Sequence, residues 1–212
     1  MEKTKRLITL LLAVLCALAL CVPAFAADVT VITDMKTDCV VDAAGSCQIT
    51  QTVTIDIAGT EDTIELPLAA GAKRISVAGY KYKKTTQDGY TVLVLSSNGG
   101  FAGSRTFTIS YTVSGLVSEQ DKIQTLTLPL LAPKWNWAIN NYDFTITLPA
   151  AFEGYPTFTS GYYGDVIEDY MNFTVREGMI GGTISTALKD HESLTMTLDV
   201  GEGYFAGRYA SW

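Results

Sequence analysis

Residues whose types and spacing could do chemistry fall in four places along this chain. The first is Tyr162-Tyr163-Gly164-Asp165, with Ser160-Gly161 before it and Glu168, Asp169 and Tyr170 just behind. Paired carboxylates are what glycoside hydrolysis uses, one as acid and one as base or nucleophile. Clustered acidic oxygens are also what calcium uses. The spacing matches no D-x-D-x-D-G loop, so the carboxylates read as solvated, turn-rich surface and no metal or other cofactor is expected. The second is His191, the single histidine, in the polar turn Lys189-Asp190-His191-Glu192. A Ser/His/Asp triad would have to use it, but no G-x-S-x-G elbow accompanies it. A surface turn histidine in a non-enzymatic protein is the expectation.

The third is Cys39 and Cys47, with seven residues between them. Asp42, then Gly45 three positions on, suggests a type I turn followed by a left-handed glycine, closing a hairpin. A five-residue loop would set the two cysteines directly opposite each other; a three-residue loop would make them diagonal neighbours. For a chain bound for an oxidising compartment, a disulfide stapling this hairpin is expected. The fourth is Trp135-Asn136-Trp137. The two indoles share one side of an extended chain while Asn136 points the other way. They read either as a stacking platform for a sugar or partner, or as the plug closing the end of a β-rich core.

The elements that must position these residues are strands. In residues 49–57, 107–113, 144–148 and 194–198, threonine alternates with aliphatic or aromatic residues at period two. That is the pattern of half-buried antiparallel strand. Glycine-containing turn signals punctuate the runs at 58–59, 70–71, 88–89, 98–100, 153–154 and 177–178. About eleven strands are predicted: 28–33, 37–42, 46–57, 62–67, 73–82, 90–96, 104–114, 124–130, 142–148, 179–187 and 192–199. With Pro129, Pro133 and Pro149 placed at strand ends, the expectation is an all-β, mainly antiparallel β-sandwich, Ig-like or jelly-roll-like. Lys81, Lys83 and Lys84 form the single basic cluster and read as a solubilising edge strand.

Before these strands comes a segment of another kind. Lys3, Lys5 and Arg6 precede an unbroken apolar run at 7–22 and an Ala24-Phe25-Ala26 cleavage site, the order of a secretory signal peptide. The run's 16 residues fall short of the roughly 20 a membrane span needs. Residues 1–26 are therefore assigned to the signal and 27–212 to one extracytoplasmic domain. Removing the signal takes three of the 15 basic and one of the 22 acidic residues and leaves a formal charge of −9. Nucleic acid and anionic lipid are poor partners for so acidic a surface. Asn172-Phe173-Thr174 matches a glycosylation acceptor, relevant only in a eukaryotic secretory pathway, whereas the signal is bacterial in style.

Several pieces then fall into a recognisable order. An early strand precedes Asp42-Ala43-Ala44-Gly45, and the polar-alternating run 48–57 leads to Ile64-Glu65-Leu66-Pro67-Leu68. The tryptophans come mid-chain, followed by an aromatic strand ending Leu148-Pro149, then Ser160-Gly161-Tyr162-Tyr163-Gly164 and a closing 194–205. This order resembles the extracytoplasmic N-terminal β domain of the YciQ-like predicted membrane proteins of bacteria (domain of unknown function 2207), over most of residues 28–206. The resemblance implies an outward-facing, non-enzymatic β-sandwich attached to downstream membrane helices. It carries over no catalytic residues, and it favours a structural role for Trp135, Trp137 and the Tyr162-Tyr163 loop. The chain departs from that pattern after Tyr204-Phe205, where no membrane segment follows.

The expected function is interaction: an exported or cell-surface module binding another protein or an envelope component. The expected contacts are Trp135, Trp137, Tyr162 and Tyr163, aromatics placed in loops rather than in alternating strands. Binding of carbohydrate or wall glycan through the same loops is the alternative.

Overall fold

The computed structural model describes residues 29–161, 165–166, 171–184 and 186–207. The signal segment, Tyr162-Tyr163-Gly164 and Glu168, Asp169 and Tyr170 lie outside the described residues. The described chain is all-β, with thirteen strands and no helix. In chain order these are β1 (Val31–Val41), β2 (Cys47–Leu68), β3 (Lys73–Val77), β4 (Tyr82–Gln87), β5 (Tyr90–Val113), β6 (Val117–Gln120) and β7 (Ile123–Leu131). Then follow β8 (Ile139–Thr147), β9 (Thr157–Gly161), β10 (Asp165–Val166), β11 (Met171–Arg176), β12 (Met179–Ile184) and β13 (Ser193–Val200). An eight-stranded sheet runs β11-β12-β8-β1-β2-β5-β3, with β4 also on β5, and a five-stranded sheet runs β10-β9-β13-β7-β6. Among the described residues every pairing is antiparallel except β1 with β8.

Period-two alternation becomes burial in the larger sheet. Met35, Cys39 and Val41 of β1, Ile49, Val53 and Ile55 of β2, Phe107, Ile109 and Tyr111 of β5, and Tyr142, Phe144 and Ile146 of β8 all face inward. Leu126, Leu128 and Leu130 of β7 and Leu194, Met196 and Leu198 of β13 meet them from the other sheet in one continuous core. Each such side chain contributes about 1.5–3 kcal/mol by leaving water. The outward positions stay polar: Thr50 meets Ser110 at 3.3 Å, and Thr54 meets Thr106 at 3.0 Å.

Four boundaries differ from the sequence-based expectation. The predicted strands 28–33 and 37–42 are one strand, β1, because a register shift between Ile32 and Asp34 absorbs the irregularity. The turn signals at 58–59 and 98–100 end no strand. β2 and β5 run on through them, with register shifts between Ile57, Glu61 and Thr63. Such bulges bend a ladder without breaking it. Gly100 is the residue that permits this: its φ is +75°, and a Cβ there would lie 2.9 Å from the Glu61 carbonyl oxygen. Conversely, the predicted strand 73–82 is two elements, β3 and the separate edge strand β4.

A polar network sits at the centre of the core. β7 and β13 slip register so that Leu131 faces Leu194 but Pro129 faces Thr195, leaving Leu130 out of the ladder. Pro129 therefore lies at a bulge inside β7 rather than at its end. The freed Leu130 carbonyl accepts from the Tyr142 phenol (2.9 Å) and from Gln51 Nε2 (3.2 Å). The Tyr142 hydroxyl also stands 2.9 Å from Thr37 Oγ1, and the Tyr111 phenol donates to Gln51 Oε1 at 3.4 Å. Two residues of the larger sheet, Tyr142 and Gln51, thus satisfy one bulged carbonyl of the smaller, and Thr37 and Tyr111 hold those two in place. Buried polar groups need such partners because an unmet one costs about 1–3 kcal/mol. Burial pushes the Tyr111 and Tyr142 phenols above their ordinary range.

Candidate ligand groove

The clearest concavity with apolar walls lies where β11 and β12, at one margin of the larger sheet, stand beside β9 of the smaller. Alternation brings Phe158 of β9 and Met171 of β11 inward to buried positions, and leaves Phe173 half buried. β12 lines the groove with Gly181 and Gly182, which supply no side chain to fill it. Gly182 has a definite steric reason: a Cβ there would stand 2.5 Å from Phe144 Cζ and 3.0 Å from Phe173 Cβ. Glycine in a strand interior often marks this kind of close approach. The space left is about 790 Å³, within the range of small-molecule and peptide sites.

The groove is joined to the core by a ladder of rings. Tyr142 and Phe144 have centroids 6.4 Å apart, Phe144 and Phe158 5.4 Å, Phe158 and Phe173 5.1 Å, and Phe173 and Tyr155 5.4 Å. The inner end is held by the Leu130–Gln51–Thr37 network, and the outer ring, Tyr155, is 73% exposed. A rigid row of aromatics ending in an exposed one is a low-entropy contact surface. Its described polar lining is Thr157, Asn172, Thr174 and Thr183, amide and hydroxyl groups that hydrogen-bond without carrying charge. The glycosylation-like tripeptide Asn172-Phe173-Thr174 is thus part of this wall.

The residues singled out from sequence do not converge here. Trp135 is 1% exposed and packs in the core, so it presents no stacking face. That is the plug alternative, and it removes Trp135 as a contact residue. Its indole N–H is buried without an acceptor among the described residues. Trp137 is half buried and packs against the same core. Tyr162 and Tyr163 fall outside the described residues. His191 has its backbone N–H on the Trp135 carbonyl at 2.9 Å and its ring Nδ1 3.2 Å from Asp190 Oδ2, in a surface turn. Among the described residues no cluster of three or more His, Cys, Asp or Glu could hold a metal.

Cys39 and Cys47 are both buried free thiols, where the sequence predicts a disulfide. Asp42 closes the hairpin: its N–H donates to Ser46 O at 2.8 Å, and its Oδ1 accepts from the N–H groups of Ala44 and Ser46, each at 2.9 Å. The loop therefore has three residues, Cys39 stands opposite Ile49, and Cys47 stands opposite Val41. The two are thus diagonal partners across the hairpin rather than directly opposite, with their thiols in hydrogen-bond contact. The hydrogen bond to Cys47, with burial, holds the Cys39 thiol well above its ordinary pKa. Such a thiol is a poor nucleophile.

Sequence reasoning did not find Tyr155, Phe173 or the Gly181-Gly182 pair as a site. The available signal was the double glycine inside Met179-Ile180-Gly181-Gly182-Thr183-Ile184, an interruption in an otherwise regular strand.

Fold and groove together define a β-sandwich domain with an aromatic-walled margin. The chain belongs to the family described as the predicted membrane protein (DUF2207) N-terminal domain, whose profile matches residues 31–198. No curated protein matches it in sequence. Among solved structures it is similar to yeast LTA4 hydrolase bound to bestatin, at 8% identity and a TM-score of 0.49, covering 82% of this chain and 31% of that one. It is also similar to an M1 zinc metallopeptidase from Deinococcus radiodurans, at 12% identity and a TM-score of 0.38, covering 79% of this chain and 42% of that one. The chain thus spans under half the length of either, and likenesses at this level carry none of their chemistry to it. Among the described residues no helix is long and apolar enough to cross a membrane.

Proposed function

We propose that this is a non-catalytic, exported domain that holds a protein or envelope component at the outer face of the membrane or cell surface. The observation that supports it is the aromatic groove: a preformed apolar slot ending in an exposed Tyr155 ring, lined where described by hydroxyls and one amide. Membership in a family of predicted membrane proteins supports placing that slot at the envelope.

Retention of the purified domain on envelope preparations from its host tests this. Tyr155→Ala should lower retention at least about tenfold, the share of an interface hot spot, with no change in melting temperature. Undiminished retention overturns the groove as the site. A second reading, wall-glycan binding, is favoured by the pairing of Tyr155 and Phe173 with Asn172 and Thr174. It predicts that retention survives protease treatment of the envelopes and is competed by soluble glycan fragments.

A further inference from the structure

The chain's overall acidity hides a strong segregation of charge. Residues 73–87 carry Lys73, Arg74, Lys81, Lys83 and Lys84 and no carboxylate, in a protein whose formal charge is −7. The structure places all of them along one margin of the larger sheet. β3 and β4 both pair with the same side of β5 and leave their own outer edges unpaired. All five cations are exposed, and none is in an ion pair with a described carboxylate. At the β4–β5 turn the one nearby acid, Asp88, is occupied by Lys134 at 2.6 Å, which holds its carboxyl below the usual range. The nearest carboxylate in register with Lys83 is Glu65, across Val94. That is two strands away, about 10 Å, and its carboxylate accepts from Asn136 at 3.2 Å.

Half-buried tyrosines stand among the cations. Tyr80 packs on Phe101 and Phe107 at the bend, with centroids 5.9 and 5.2 Å away, and the Tyr82 phenol donates to the Ile75 carbonyl at 2.9 Å. Rings with an apolar body and a polar tip favour a membrane–water interface. Successive residues of a strand point to opposite faces, so Lys83 and Lys84 project on both sides of β4, as an edge-on approach to a flat anionic surface requires.

From this margin we infer that the β3–β4 edge docks onto anionic lipid headgroups, orienting the domain on the membrane while the groove at the opposite margin stays free. The inference rests on the envelope location proposed above. Net acidity does not oppose it, because screening at physiological salt acts over about 8 Å and the lipid senses the local five cations, not the far side. Protection of an edge strand from stray pairing explains a lysine on β4; it does not call for Lys73 and Arg74 on β3 or for the missing acids.

Co-sedimentation of the mature chain with vesicles tests it, comparing phosphatidylcholine alone with phosphatidylcholine–phosphatidylglycerol. Binding should require phosphatidylglycerol and vanish in high salt. Lys81→Gln/Lys83→Gln/Lys84→Gln should weaken it about 100-fold, at roughly fivefold per lysine. Lys122→Gln/Lys189→Gln, elsewhere on the surface, should leave it unchanged. Equal binding by the triple variant, equal binding to both vesicles, or binding to inorganic polyphosphate in place of vesicles would overturn the inference. Tyr155→Ala separates this from the groove: it should keep vesicle binding while losing the envelope retention that survives high salt, where the lipid contact is lost. Vesicle binding kept with envelope retention in high salt also unchanged would sink the groove reading and leave the lipid edge standing, whereas loss of vesicle binding in Tyr155→Ala would overturn the lipid edge.

Discussion

The two margins of the larger sheet meet the same physical problem in opposite ways. An edge strand exposes unpaired backbone groups and half of its side chains. At the β3–β4 margin the answer is charge: β4 is exposed along five of its six residues, and its lysines keep it apart from other strands. At the β11–β12 margin it is aromatic cover, with Phe158, Phe173 and Tyr155 packed edge-on or tilted in a row and Phe173 close against Gly182. The first margin is built to meet water and anions. The second is built around a cavity, and its geometry depends on the core behind it. The groove is thus mechanically coupled to the fold and the basic edge is not, so perturbing each should have different consequences.

The largest expected effect tests the core itself. Trp135→Ala should destabilise the domain by about 3–5 kcal/mol, as for other large aromatics lost from cores, whereas Tyr155→Ala should stay within about 0.5 kcal/mol. Denaturant midpoints for the two check this difference between a core plug and an exposed ring. Next in size is Gly182→Ala. The new methyl must displace the Phe144 ring, so a loss of about 1–3 kcal/mol is expected, together with reduced groove binding. A third change, Tyr142→Phe, removes a donor from the bulged Leu130 carbonyl and should cost about 1–2 kcal/mol by chemical denaturation.

A pH series sharpens the same point. Burial raises the Tyr111 and Tyr142 pKa values in the folded state, while the unfolded chain ionises its tyrosines near 10. Their contribution is therefore fully present below about pH 10 and is lost as pH rises above it, because the unfolded state then releases protons the folded state retains. Tyr142→Phe should flatten that alkaline fall. Smallest of all, neutralising Lys81, Lys83 and Lys84 should leave stability within about 0.5 kcal/mol, marking that margin as independent of the core.

How much of this was legible from the sequence follows from where the signals were strong. Threonine alternating with aliphatics in 49–57 and 107–113 specified inward and outward faces correctly, because one face is buried and register cannot slip without exposing it. Gly59, Gly99 and Gly100 misled because a left-handed glycine serves a turn and a bulge equally; only the partner strand distinguishes them. β4, β6, β9, β10 and β11 were missed because strands of two to six residues offer too few positions for alternation to show. Cys39 and Cys47 were seen as a pair, but loop length decided between opposite and diagonal, and that is a matter of three residues against five. The groove was hidden for a more basic reason: it is formed by β9, β11 and β12 from two sheets, and no local pattern records which strands meet.

The most direct test of the groove is hydrogen exchange on the domain with and without host envelopes. A ligand held in the groove should slow exchange at 155–158 and 171–183 and leave 131–137 unchanged. Protection centred on the Trp135-Asn136-Trp137 stretch, with 155–158 and 171–183 unaffected, would contradict it.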